Sequence, residues 1–167
     1  MYIESVPVHL VDHPLVHDAL ASLRDKRTSP EHFRRAATRI SVLLASQALC
    51  DLPTRDATVD TPLGPAPARR VAPDVVVVPV LRAGLGMLDA ILELVPHARV
   101  GHIGLQRANA RAVRMICIVA APEGVALVEH HHPDVHIYTP VVDRGLNDQK
   151  YIVPGLGDFG DRLYGTA

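Results

Sequence analysis

Two stretches of this chain combine residue types suited to holding a phosphorylated, planar ligand. The first is Leu81-Arg-Ala-Gly-Leu-Gly86. An arginine and two glycines between an apolar run and a helical pattern make an anion site: the backbone can approach closely, helix N–H groups point outward, and the guanidinium supplies a charged fork. The competing reading of the same residues is a tight turn with a solvated arginine. The second is the tail, Tyr151-Ile-Val-Pro-Gly-Leu-Gly-Asp-Phe-Gly-Asp161. A solvated terminus would read the same way in glycine and proline content, but Ile152, Val153 and Leu156 are apolar, whereas disordered termini are polar. Held over a pocket, such a segment presents backbone N–H and C=O groups to a planar ligand, and Asp158 and Asp161 suit a hydroxyl or a hydrated Mg²⁺.

Other reactive residues point elsewhere. The triplet His130–His132 invites a metal reading, but consecutive helical residues point apart, so imidazoles solvated at a helix end account for it better. Cys50 and Cys117 each sit in an apolar stretch without a partner at metal-ligand spacing, which predicts buried, reduced thiols. No P-loop, dinucleotide-binding, zincin or nucleophile-elbow pattern occurs.

The elements that position these stretches follow from periodicity. Residues 14–25 suggest a short amphipathic helix with Leu15, Leu20 and Leu23 on its apolar face. Ser29 as N-cap and Pro30 at the first position start a clearer one, in which Phe33, Ala36, Ala37, Ile40, Leu43, Leu44 and Ala48 recur at helical spacing and Arg34, Arg35 and Arg39 fall on the other face. Prolines 53, 62, 65, 67 and 73 with Gly64 exclude helix from 51–73 and suggest a projecting hairpin or flap. Asp74–Val80 is a β-branched run suited to a strand covered on both faces. A helix through Met87–Leu94, strands over 99–105, 114–120 and 134–139, a helix from Pro122 to about His130, and an irregular tail from 142 complete the pattern. Strand–helix–strand order predicts an α/β parallel sheet, with ligands at the carboxyl ends of its strands. Arg82–Gly86, Arg107 and the tail all fall there.

The bulk numbers bound the rest. At 167 residues this reads as one domain, able to bury roughly 70% of its unfolded surface. A net charge of −1 argues against a polyanion binder. The longest apolar run is far too short for a bilayer, and the N-terminus lacks the layout of a signal peptide.

Taken in order, Val80-Leu-Arg-Ala-Gly-Leu-Gly-Met87, Val100-Gly-His-Ile-Gly-Leu-Gln-Arg107, Ile118-Val-Ala-Ala-Pro-Glu-Gly124, His132-Pro-Asp-Val135, Gly145-Leu-Asn147 and Tyr151–Asp158 resemble the uracil phosphoribosyltransferases, as do His13-Pro-Leu-Val16, Thr61-Pro-Leu-Gly64 and the C-terminal Gly160–Thr166. The resemblance implies a phosphoribosyltransferase-like parallel sheet flanked by helices, with the 51–73 flap and a uracil-binding hood over 142–167. It implies transfer of the phosphoribosyl group of PRPP to N1 of uracil, with Mg²⁺ accompanying PRPP. Arg82, Arg107 and Asp158 would bind PRPP, and Ile152, Gly157, Asp158 and Phe159 would read uracil largely through the backbone. It further implies a cytoplasmic homodimer or larger oligomer, with GTP as an effector in some members.

The chain departs from the pattern between Arg107 and Arg114. There the family has a strand, then Asp-Pro-Met-Leu-Ala-Thr-Gly-Gly-Ser, then a helix; that loop cradles the 5′-phosphate and holds the ribose hydroxyls. The loss amounts to roughly 20 or more residues by ordinary element lengths. The six residues between Arg107 and Arg114 cannot hold a crossover helix. The sheet is therefore expected either to close over a gap or to rearrange the flanking strands. A chain without this loop has a second reading, a non-catalytic uracil- or nucleotide-binding relative or the partner of an intact subunit. A third is a chain that folds poorly. Smaller departures are Phe159 and Pro140, both at positions where the family usually has Ala; Phe159 is large enough to crowd a uracil pocket.

Overall fold

A computed structural model describes residues 7–72, 74–101 and 112–166. In chain order the elements are β1 (Val8–Leu10), α1 (Pro14–Arg24), α2 (Pro30–Ala48), β2 (Thr54–Thr61), β3 (Gly64–Val71), β4 (Val76–Val77), α3 (Leu85–Leu94), β5 (Arg99–Val100), β6 (Arg114–Ile116), α4 (Pro122–His131), β7 (His136–Thr139), β8 (Gly145–Leu146), β9 (Ile152–Val153) and α5 (Phe159–Tyr164).

The two N-terminal helices build the core. Ser29 caps α2 by accepting from the His32 N–H, and Pro30 opens it, as the sequence predicts. Phe33, Ala36, Ala37, Ile40 and Leu44 are buried against Val16, Ala19, Leu20 and Leu23 of α1, with Ile118, Leu156 and Leu163 closing the cluster. Leu15, expected on the apolar face of α1, is exposed, and Val16 takes its place. The α2 arginines stay outside: Arg35 pairs with Glu31, and Arg39 with Asp18 at 2.5 Å.

The 51–73 region forms the expected hairpin. Strands β2 and β3 pair antiparallel from Thr54↔Val71 to Thr61↔Gly64. The Thr61 hydroxyl locks the turn, donating to the Gly64 carbonyl at 2.7 Å and accepting from the Leu63 N–H at 3.2 Å. Pro65 and Pro67 are tolerated because both strands of a two-stranded ribbon are edges.

The parallel strands depart most from expectation. Among the described residues they lie in two separate sheets. One has the order β1-β7-β6, all parallel; the other holds β4 and β5, also parallel. Each sheet contains one strand–helix–strand unit, β4-α3-β5 and β6-α4-β7. Among the described residues the sheet does not close over the gap. The run 74–80 was expected as a strand covered on both faces. It pairs only at Val76 and Val77, and Val80 is 73% exposed. Continuous β-branched runs need neighbours on both edges and cover on both faces, and among the described residues β4 has a single partner.

The C-terminal region, expected to be irregular, carries the β8–β9 hairpin and helix α5. Asp158 caps α5, its Oδ1 accepting from the Asp161 N–H at 2.9 Å. Gly165 ends the helix in the left-handed region at φ 70°, where glycine is at home. Arg34 donates to the Leu163 carbonyl at 2.9 Å and ties α5 to α2. Of the cysteines, Cys117 is partly buried, and burial pushes its thiol up; Cys50 is exposed at the end of α2, contrary to expectation. His130 and His131 occupy the last turn of α4 and His132 caps it, the helix-end placement read from the sequence.

Candidate functional site

The Arg82 turn and the tail come together at the carboxyl ends of β4 and β7. The peptide after β4 turns through residues 81–84 into α3, and Gly84 approaches the preceding chain so closely that a Cβ there would lie 2.5 Å from the Val80 nitrogen and 2.7 Å from its carbonyl oxygen. No side chain fits against rigid backbone at that distance, which is why this turn needs glycine. The first turn of α3 rests on α5: a Cβ on Gly86 would meet Leu163 Cδ2 at 2.7 Å and Phe159 Cε1 at 2.9 Å. That packing places Arg82 over the start of α5. Its Nη2 lies 3.6 Å from Asp161 Oδ1, and its guanidinium carbon would be 3.7 Å from a Cβ on Gly160. Arg82, Asp158 and Asp161 thus share one end of α5. The Arg82 side chain is 64% exposed and free to reach a ligand.

The Ile152–Asp158 loop borders this cluster. Ile152 sits in β9, paired with Leu146. The chain then doubles back: Gly155 has φ 57°, and a Cβ there would collide with the Ile152 carbonyl oxygen. We predict that Gly155→Ala lowers the stability of the fold sharply. The left-handed backbone alone costs an alanine about 1–2 kcal/mol, and the collision adds to it; a thermal melt reads the sum. Gly157 is exposed at φ 78°. Phe159, suspected of crowding a pocket, turns its ring inward. It packs edge-on to Phe33 at a centroid distance of 5.2 Å, against the core.

Helix α4 holds the hairpin below the loop. Glu123 Oε1 accepts from the Leu146 N–H at 3.0 Å. That hydrogen bond, with further help from its own backbone and from Lys150, keeps the Glu123 carboxyl below the ordinary range. A carboxylate with a depressed folded pKa stabilises the fold at pH values above its unfolded pKa of about 4.3. That contribution is lost as pH falls through the folded value. Between pH 5 and 3 the melting temperature of Glu123→Gln should therefore decline less steeply than that of the parent chain.

Not every expected residue can be placed. Arg107 lies outside the described residues. A cavity of about 490 Å³ lined by Asp51, Arg114, His131, His132, Asp134 and His136 lies at the opposite, amino ends of β6 and β7. Parallel sheets bind ligands at their carboxyl ends, so the Arg82 cluster is the better candidate. Among the described residues no group of three or more histidine, cysteine or acidic side chains is arranged to hold a metal ion. The sequence did not single out Asp143, Arg24 or Arg162. All three anchor the loop from beneath. The available signal was a lone acid after the apolar Val141-Val142 pair, a few residues beyond β7.

The family model for uracil phosphoribosyltransferase matches residues 10–112 and 105–166. The chain belongs to the uracil phosphoribosyltransferase family. Membership makes it an enzyme of the phosphoribosyltransferase class. The uracil phosphoribosyltransferases of Symbiobacterium thermophilum and Thermus thermophilus are each 40% identical to it over 205 aligned residues, covering 95% of this chain and 98% and 99% of theirs. That of Shouchella clausii is 39% identical over the same length. Among solved structures, the AQ2163 protein of Aquifex aeolicus matches with a TM-score of 0.90 and 28% identity, over 96% of this chain and 99% of its own. The α/β architecture is therefore that of the phosphoribosyltransferases.

The aligned length of 205 exceeds the 167 residues present here, so these family members carry residues with no counterpart in this chain. The two stretches of the family match meet at 105–112, where the sequence places the lost segment. No helix among the described residues is long and apolar enough to cross a membrane.

Proposed function

We propose that this chain transfers the phosphoribosyl group of PRPP to N1 of uracil, releasing UMP and diphosphate in pyrimidine salvage. The observation that carries the reading is the meeting of the Arg82 turn with the Ile152–Asp158 loop at one end of α5. It sets an exposed guanidinium beside a loop that ends in the exposed Gly157 and the half-buried Asp158.

In this reading uracil N1 attacks C1′ of PRPP, the bond from C1′ to the diphosphate oxygen breaks, and the N1 proton passes to water. Positive charge develops on the ribose and negative charge on the leaving diphosphate. Arg82 would stabilise the leaving group, its exposed guanidinium being suited to a diphosphate, and Arg107 would share that role. Ile152, Gly157, Asp158 and Phe159 read the base through main-chain groups. Uracil offers alternating acceptors and a donor along its edge, which a backbone can match.

Mg²⁺ enters as part of the substrate, chelated by PRPP. Among the described residues the donors fit that role. Mg²⁺ typically takes one or two carboxylates with substrate phosphates and water, and Asp158 and Asp161 lie together at the Arg82 cluster. The inward Phe159 ring leaves its backbone available.

The reading extends to a cytoplasmic homodimer or larger oligomer, checked by gel filtration, and to GTP as an effector, checked by titrating the initial rate. The direct test is UMP formation by the purified chain from uracil, PRPP and Mg²⁺. Product is expected. Its absence from a protein that melts cooperatively would favour the non-catalytic relative.

A further inference from the structure

Two adjacent residues of the base-reading loop are fixed from beneath by charged groups, and both fixings lead to the same turn of helix. The Gly155 N–H donates to Asp143 Oδ2 at 2.9 Å. Asp143 is buried, 6% exposed, and its other oxygen accepts from Arg24 Nη2 at 2.5 Å. One residue further, the Leu156 carbonyl accepts from Arg162 Nη1 at 2.8 Å. The same guanidinium donates to the Leu23 carbonyl and, at 2.7 Å through Nη2, to the Asp25 carbonyl. It lies over the Phe33 ring at 4.4 Å.

Leu23, Arg24 and Asp25 are the last turn and the C-cap of α1. Carbonyls at a helix end lack intrahelical partners and attract cations, so this turn is a natural seat for Arg162. The buried carboxylate of Asp143 suits the N–H above it and the guanidinium beside it at once. No other arrangement in the described residues fixes the main chain of the loop at two consecutive positions.

We infer that Asp143 and Arg162 are positioning residues for base recognition, mounting the Gly155–Gly157 main chain on the last turn of α1. The inference rests on the uracil reading proposed above. Neither residue touches the base in that reading. Their effect comes from the chemistry of backbone readout. Uracil presents O4 as an acceptor and N3–H as a donor; cytosine presents the reverse at both atoms. A backbone held in one orientation rejects cytosine because its own polar groups would be left unpaired. A backbone free to rotate accepts either base. The clamp therefore sets specificity more than affinity.

The experiment is calorimetric titration of the whole chain with UMP and with CMP. The variants are Asp143→Asn, which keeps an acceptor but not the charge, and Arg162→Lys, which keeps the charge but not the planar fork. Arg39→Ala is the control. It removes the 2.5 Å Arg39–Asp18 pair, which also touches α1, and leaves the loop alone. The parent chain should prefer UMP. Both clamp variants should lower the ratio of CMP to UMP dissociation constants tenfold or more, while Arg39→Ala keeps it even where its melting temperature falls. Arg24→Lys stands in should Asp143→Asn fail to fold. Folded clamp variants whose ratio stays within twofold of the parent overturn the inference. A parent chain without preference for UMP overturns the uracil reading, and the clamp with it, and is told apart because the parent itself fails.

Discussion

Arg82→Ala is expected to lower kcat/KM for UMP formation by a hundredfold or more, with almost no change in melting temperature. The two halves of that expectation come from different observations. The side chain is 64% exposed and its nearest charged neighbour, Asp161 Oδ1, is 3.6 Å away. Exposed pairs of this kind contribute about 0–1 kcal/mol to stability, so the fold hardly registers the loss. In the proposed site catalysis should register it fully. A guanidinium facing a diphosphate makes charge-assisted hydrogen bonds worth about 1.5–3 kcal/mol each. Two of them correspond to roughly 10²–10⁴ in rate or affinity. Arg82→Lys should recover only part of the activity, because an ammonium supplies charge without the bidentate fork. Asp161→Asn should cost less than Arg82→Ala, since it loosens the arginine and removes one of the two carboxylates proposed to face Mg²⁺ while leaving Asp158 in place. Steady-state rates for the three variants beside thermal melts separate these effects. Near-parental activity in Arg82→Ala would remove the phosphate role from this turn.

Much of the scaffold behind that turn is legible from local signals. Ser29 and Pro30 announce α2, and Thr61-Pro-Leu-Gly64 announces the hairpin, because caps and turns are decided within a few residues. The Arg82 turn and the Asp158 loop are legible as separate anion and backbone sites. What is hidden depends on distant partners. Helix α5 reads as irregular because Gly160 and Gly165 dilute its pattern; it is held by Arg34 from α2 and by its own Arg162, which donates to the Asp25 carbonyl at the end of α1. The Arg24–Asp143 pair joins residues 119 apart in sequence, and no local spacing foretells it. The opposite error occurs at 74–80, where strong β propensity yields a two-residue strand. Propensity marks residues that fit a covered sheet, and among the described residues the covering neighbours are missing.

Those missing neighbours motivate the second large effect. Inserting the strand–loop–helix segment of an intact relative between Arg107 and Arg114 should lower KM for PRPP by a hundredfold or more and leave KM for uracil within a few-fold. Separate groups hold the two substrates in the proposed site. The 5′-phosphate relies on the loop that this chain lacks, and each restored charge-assisted hydrogen bond contributes about 1.5–3 kcal/mol. Uracil relies on residues 152–159, which are present and anchored. The insertion should also raise the melting temperature. Strands β4 and β6 now end separate sheets, and Val80 and Leu81 are 73% and 61% exposed. A strand paired beside β4 and a helix laid over it would bury such side chains, at about 1.5–3 kcal/mol for each one fully covered. Substrate-dependence curves and melts of the chimera against the parent test both halves. A folded chimera with unchanged KM for PRPP would show that this chain binds the 5′-phosphate through residues of its own. A lowered KM without a higher melting temperature would place the benefit in the loop alone and leave the split sheet as the stable state of this chain.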